Sequence, residues 1–124
     1  MMDPWILVID DEAVTREALA AILRQAGYGV EAWEDARPLE GRGLNRPYRL
    51  AVVDYHLPTV TGLEAAIRLK RHLPGCRVLL ISSEPPPRDD AAWELGVVDG
   101  FLAKPFSKDA ILEAVGRLLT PASW

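Results

Sequence analysis

The chain has 124 residues, 49% apolar and 26% charged, which is enough for one domain with one ordinary core and excludes wholesale disorder. Eighteen acids against fourteen bases leave a formal charge of −4, which argues against direct nucleic-acid binding by this domain. A single cysteine, Cys76, excludes an internal disulfide framework or a multi-cysteine zinc site and fits a reducing compartment.

Met1-Met2-Asp3-Pro4 carries no basic residue, and the apolar run Trp5 to Ile9 is too short for a signal sequence. That run reads instead as a buried parallel strand, apolar on both faces and ended by Asp10-Asp11-Glu12. Ala13 to Ala26 has helical spacing, with Val14, Ala18, Ala21 and Ile22 as its predicted apolar face and Gly27 as its stop. Val30 to Trp33 is a weaker strand. Glu34 to Tyr48, broken by Pro38, Gly41, Gly43 and Pro47, predicts a short or irregular second helix. Leu50 to Val53 is a strand ended by Asp54, and Leu63 to Leu73 a helix stopped by Pro74-Gly75. Val78 to Ile81 is a strand ended by Ser82-Ser83, Asp89 to Leu95 a short fourth helix, and Gly100 to Ala103 a fifth strand. Ala110, Ile111, Ala114, Val115, Leu118 and Leu119 form the apolar face of a fifth helix, with Ser107 at its N-cap. No stretch reaches the roughly 20 apolar residues needed to cross a bilayer, so the expectation is a cytoplasmic protein with no membrane contact.

Strand and helix alternate five times, which implies a parallel sheet with helices on both faces. Sites in such sheets form beyond the carboxyl ends of the strands. There the first strand delivers Asp10, Asp11 and Glu12, the third Asp54, the fourth Ser82, and the fifth Lys104 before Pro105. Each has an ordinary reading alone: Asp10 or Asp11 as a helix cap, Asp54 as a turn residue, Ser82 as a loop hydroxyl, Lys104 as a solvated charge. Their joint fall at aligned strand ends weakens those readings. Clustered carboxylates repel, and an all-oxygen ligand set without cysteines or paired histidines favours Mg²⁺ over zinc. A metal, a carboxylate nucleophile and a lysine together describe phosphoryl transfer onto aspartate.

Four pieces in order carry a family resemblance: Val8-Ile9-Asp10-Asp11-Glu12, Asp54-Tyr55-His56-Leu57-Pro58 with Gly62, Leu80-Ile81-Ser82-Ser83, and Gly100-Phe101-Leu102-Ala103-Lys104-Pro105-Phe106. Over essentially its whole length the chain resembles the receiver domain of two-component response regulators, the CheY-like family. The resemblance implies one receiver domain over 1–124 with its core at 4–119. It also implies a flavodoxin-like (βα)5 three-layer α/β sandwich, with a five-stranded parallel sheet of order 2-1-3-4-5.

By that resemblance Asp54 is the phosphoacceptor, taking a phosphoryl group from the phosphohistidine of a sensor histidine kinase or phosphotransfer protein. The domain would catalyse its own phosphorylation and dephosphorylation. Asp11, Asp54 and the backbone carbonyl of His56 would hold Mg²⁺, with Asp10 acting through water, and Lys104 would pair with a phosphoryl oxygen. Pro105 would follow a cis peptide. Ser82 and Phe101 would form the switch, reshaping the face of the fourth helix, fifth strand and fifth helix, through which homodimers could also form. His56 and Glu84 would tune dephosphorylation, while His72 reads as helix surface. An output domain or a downstream protein would read the state.

Four features depart from the commonest family pattern, the irregular Glu34 to Tyr48 segment among them. Ser82 stands where threonine is usual, Phe101 lacks a tyrosine hydroxyl, and Pro85-Pro86-Pro87 stiffens the loop that moves. The proline loop sustains an alternative, a degenerate receiver acting as a phosphorylation-independent interaction module, against which stands the presence of all the site residues. Flavin or nucleotide binding on the same fold would want a Gly- or Ser/Thr-rich phosphate loop where this chain has Asp10-Asp11-Glu12. A phosphatase of the Asp-x-Asp type fails because His56 stands at the second position. Trp5 and Trp33 read as packing at the sheet or its edges, Trp93 as either core or output-face contact, Trp124 as tail, and Cys76 as a small buried hydrophobe.

Overall fold

Strands that are apolar on both faces must be covered on both, and among the described residues three α-helices and one 3-10 turn supply that cover. The structure is a computed structural model and describes residues 4–40, 44, 46–84 and 96–120. Within them lie β1 (Trp5–Ile9), α1 (Ala13–Gln25), β2 (Gly29–Trp33), a 3-10 turn (Arg37–Glu40), β3 (Tyr48–Asp54), α2 (Gly62–His72), β4 (Arg77–Ser82), β5 (Gly100–Ala103) and α3 (Lys108–Leu119). All strand pairs are parallel, in the order β2-β1-β3-β4-β5. The predicted helix Asp89–Leu95, Pro85 to Pro87, Trp93 and Trp124 fall outside the described residues.

The two faces of the sheet have separate cores. On one, Ile6, Val8, Leu50, Val52, Leu79 and Ile81 meet α1 and α3. On the other, Leu7, Ile9, Ala51, Val53 and Val78 meet α2 and the 3-10 turn, where Leu39 is buried. The segment broken by Pro38, Gly41, Gly43 and Pro47 thus covers its part of the sheet with one short 3-10 turn among the described residues, in place of a regular helix.

The buried stripe of α1 differs from the sequence expectation. Leu19, Ala20 and Leu23 are buried and Ile22 half-buried, whereas Ala18 and Ala21 are exposed and Val14 is 79% exposed. The larger leucines hold the sheet, and the stripe of smaller residues is turned away from it. Helix ends follow their cap chemistry. Thr61 accepts from the Glu64 amide at 3.2 Å and Ser107 from the Ala110 amide at 3.0 Å, satisfying N-terminal donors of α2 and α3.

One close approach seats α2 against the end of β3. A Cβ at Gly62 would lie 2.6 Å from the Asp54 carbonyl oxygen and 2.7 Å from Tyr55 Cα, so only glycine fits there. The Gly62 amide donates to the Tyr55 carbonyl at 2.7 Å. At the far edge, Asp99 ties three elements together, accepting from Lys70 Nζ of α2 and the Val78 amide of β4, both at 2.8 Å, just before β5. On β2, Glu31 accepts from Trp33 Nε1 at 2.9 Å and Tyr48 Oη at 2.7 Å, while Arg46 stacks on Trp5 with its guanidinium carbon 3.9 Å from the ring centroid. Trp5 and Trp33 pack against the α2-side core, and Cys76 is buried in it.

Candidate functional site

The parallel register brings the residues that follow β1, end β3 and β4, and follow β5 to one rim. Asp10 is wholly buried there and held at four atoms. Its amide donates to the Trp33 carbonyl at 3.1 Å, and its carbonyl accepts from Arg16 Nη1 at 2.9 Å. Its Oδ1 accepts from the Glu12 amide at 2.9 Å, and its Oδ2 from Lys104 Nζ at 3.0 Å. Asp54 is buried at the end of β3, with Oδ2 3.3 Å from Lys104 Nζ and Oδ1 accepting from the His56 amide at 3.2 Å. Asp11 is exposed at the mouth, and Glu12 accepts from the Thr15 hydroxyl. The Lys104–Pro105 peptide is cis.

The electrostatics follow from this crowding. Burial pushes the Asp10 carboxyl above its ordinary range; the Glu12 amide and Lys104 pull against that, and the charge of Asp54 adds to it. Burial disfavours the Lys104 ammonium, yet Asp10 and Asp54 outweigh it and hold its pKa above the usual lysine value. One lysine therefore serves two buried carboxylates. Oxygens of Asp10, Asp11 and Asp54 all lie within 4.8 Å of one another. Hard oxygen donors crowded with excess negative charge fit a hard divalent cation. A cleft of about 490 Å³ opens over them, lined by Asp11, Glu12, Asp54, His56, Ser83 and Lys104.

The remaining candidates surround this cleft. Ser82 is buried, and its hydroxyl is engaged by its own loop, donating to the Glu84 carbonyl at 2.5 Å and accepting from the Glu84 amide at 3.2 Å. Its neighbour Ser83 lines the cleft. Glu84 and His56 are exposed, the His56 ring lying edge-on to Tyr55 with centroids 4.9 Å apart. Phe101 on β5 is 41% exposed. His72 is exposed at the end of α2, remote from the rim. Burial pushes the Cys76 thiol up to about 11, so it is not a nucleophile at neutral pH. The sequence reading did not single out Arg16 or Ser83. Arg16 carries a signal only in retrospect, one helical turn beyond the acidic cluster.

A five-stranded sheet of this order, with acids after β1 and at the end of β3 and a lysine after β5, defines a flavodoxin-like receiver domain. The family model for the response regulator receiver domain matches residues 6–116, and the chain belongs to that family. It is 33% identical over 122 residues to the transcriptional regulatory protein FixJ of Bradyrhizobium diazoefficiens, covering 95% of this chain and 59% of that protein. It is 31% identical over 121 residues to the two-component response regulator ORR3 of Oryza sativa subsp. japonica, covering 94% of this chain and 92% of that one. The chain spans about half the length of several of its curated relatives, 59% of FixJ and 49% of the probable transcriptional regulatory protein TcrX of Mycobacterium tuberculosis. Among solved structures, response regulator TrrA of Thermotoga maritima, crystallised in complex with Mg²⁺-BeF, superposes with a TM-score of 0.80 at 28% identity, covering 94% of this chain and 99% of that one. The chemotaxis regulator CheY4 of Vibrio cholerae shares the fold, with a TM-score of 0.82 at 24% identity, covering 95% and 100%. Among the described residues no helix is long and apolar enough to cross a membrane.

Proposed function

We propose that this receiver takes a phosphoryl group onto Asp54 from the phosphohistidine of a sensor histidine kinase or phosphotransfer protein. The observation that carries the reading is the cluster of Asp10, Asp11 and Asp54 oxygens within 4.8 Å, with Lys104 Nζ 3.3 Å from Asp54. An Asp54 carboxylate oxygen forms the new bond to phosphorus, the phosphorus–nitrogen bond breaks, and the departing imidazole nitrogen keeps the electron pair and takes a proton from water. Lys104 turns its ammonium from the Asp54 carboxylate to a phosphoryl oxygen as that oxygen gains charge. Asp11, Asp54 and the His56 main-chain carbonyl would hold Mg²⁺, with Asp10 acting through water; when bound, the ion would offset negative charge on the phosphoryl oxygens. The Mg²⁺-BeF complex of TrrA supports this assignment by kinship.

The switch follows from the same groups. A phosphoryl group on Asp54 offers the Ser82 hydroxyl a charged acceptor in place of the Glu84 carbonyl. Release of that contact frees the loop, and Phe101 turns inward, altering the face read by a second copy, an output domain or a downstream protein. We place the protein in the cytoplasm, as one receiver domain with its core at 4–119. His56 and Glu84, at the cleft mouth and just beyond Ser82, govern access of hydrolytic water to the acyl phosphate.

The test is the intact mass after incubation with acetyl phosphate, with and without Mg²⁺, beside Asp54→Asn. One added phosphoryl group that requires both Mg²⁺ and Asp54 is expected. No adduct at any incubation time would overturn the reading in favour of an unphosphorylated interaction module. Decay of the adduct should change severalfold in His56→Ala and Glu84→Ala, and an unchanged lifetime in both removes their tuning role.

A further inference from the structure

The end of the sheet opposite the acidic rim is cationic. Helices run antiparallel to the strands they follow, so helix C-termini and strand N-termini meet there and gather Arg24, Lys70, Arg71 and Arg117 with Arg49 and Arg77. Cations at helix C-termini complement the macrodipole, which accounts for the first four. It does not account for Arg49 and Arg77, which stand at the starts of β3 and β4.

Arg49 is there because of a bulge. Trp5 pairs with Tyr48 and Ile6 with Leu50, leaving Arg49 as an extra residue in β3. Such insertions re-aim a side chain. Arg49 consequently lines, with Gly75, Arg77, Leu118, Leu119 and Thr120, a cleft of about 160 Å³ under the end of α3. The Thr120 amide and hydroxyl both donate to the Gly116 carbonyl, at 3.1 and 2.6 Å, so that helix-end acceptor is already satisfied. Arg77 reaches Asp99 only at 3.4 Å, while Lys70 and the Val78 amide hold the same carboxylate at 2.8 Å. Glu113 of α3 is paired with Arg117 at 3.8 Å.

We propose that this cleft docks an acidic segment of another polypeptide, one carboxylate held between the Arg49 and Arg77 guanidiniums and an adjacent aliphatic side chain resting on Leu118 and Leu119. Guanidinium forks match carboxylates in geometry and charge. The apolar wall beside them fits a peptide that alternates acid and aliphatic residues and finds no counterpart in a nucleic-acid backbone. The acids after β1 and β3 lie at the far rim of the same domain and cannot reach the cleft. The site is independent of the rim chemistry.

The test is fluorescence anisotropy with a short fluorescein-labelled peptide of alternating glutamate and leucine, its glutamine counterpart, and a labelled DNA duplex. The glutamate peptide should bind the wild type and the glutamine peptide should not. Arg49→Glu should weaken binding about tenfold and Arg49→Gln severalfold, with less loss in Arg49→Lys, as expected for close charge pairs at an interface. Arg49 is exposed, so circular dichroism should be unchanged and acetyl phosphate should modify the variants as it does the wild type. Failure of the wild type to bind, or equal affinity in wild type and all three variants, overturns the site. Duplex binding tighter than peptide binding, and lost with Arg49→Glu, overturns the choice of a polypeptide.

Discussion

Asp11 is the informative residue at the rim, because its neighbours cannot be removed without side effects. Deleting Lys104 would strand the wholly buried Asp10 without its cation, a change that costs ~3–5 kcal/mol for buried pairs and would mask any effect on chemistry. Asp11 is exposed, yet its carboxylate shares the 4.8 Å cluster. Without metal, Asp11→Asn removes a like charge beside Asp10 and Asp54 and should be neutral or stabilising by up to ~1 kcal/mol. With Mg²⁺ a hundredfold above its Kd, the wild type should gain ~2.7 kcal/mol that the variant lacks. Urea unfolding with EDTA and then with Mg²⁺ measures both differences; equal Mg²⁺ stabilisation of the two proteins would remove Asp11 from the metal site. Asp10, Asp11, Asp54, Ser82 and Lys104 were all legible in the sequence because each stands where an apolar run stops. Their partners were not. No periodicity encodes that Arg16 reaches the Asp10 carbonyl, or that Ser82 is occupied by the main chain of Glu84.

Between elements, the tightest constraint is the contact of α2 with the end of β3. Gly62 has no unusual backbone conformation; what demands glycine is the space, with the Asp54 carbonyl and Tyr55 Cα where a methyl would go. Both obstacles are backbone and cannot rotate away. Gly62→Ala should therefore cost ~2–3 kcal/mol in urea unfolding, at the upper end of overpacking penalties, although alanine is the better helix former. Because the displaced atoms belong to Asp54 and Tyr55, phosphorylation by acetyl phosphate should slow as well. A variant of wild-type stability would show that α2 can shift without disturbing the acceptor. Sequence patterning placed α2 and all five strands within two residues of their observed ends, since apolar runs bounded by proline, glycine or acids leave little choice. It missed the orientation of α1, where Val14, Ala18, Ala21 and Ile22 satisfy helical spacing as well as the buried Leu19, Ala20 and Leu23 do. Spacing identifies a stripe; only the shape of the sheet selects which stripe it will accept.

At the scale of the whole molecule, charge is sorted along the strands, with carboxylates collected at one rim and held singly elsewhere by hydrogen bonds, and pH should read out that sorting. Burial disfavours the charged forms of Glu31 and Asp99. Tyr48, Trp33 and Arg46 outweigh it at Glu31, and Lys70, the Val78 amide and Arg77 outweigh it at Asp99, so both carboxyls sit below their ordinary values of 4.5 and 3.8. A depressed folded-state pKa contributes stability that is complete above the unfolded value and disappears as pH falls through the folded one. Asp10 has the opposite sign. Burial raises its pKa, so the folded protein favours its neutral form and loses stability as pH rises from the unfolded pKa through the folded one. The two effects together predict a stability maximum in mildly acidic to neutral solution and a steep fall below about pH 4. Glu31→Gln should flatten that acid limb while costing ~1–2 kcal/mol at neutral pH, because the amide keeps the shape of the carboxylate but loses the charge that strengthens its bonds to Tyr48 and Trp33. Unfolding free energies measured from about pH 3 to pH 7 decide it. If the limb in Glu31→Gln is as steep as in the wild type, the acid sensitivity belongs to Asp99 before β5 and to Asp35 beside Arg37 rather than to the cluster that fastens β2 to β3.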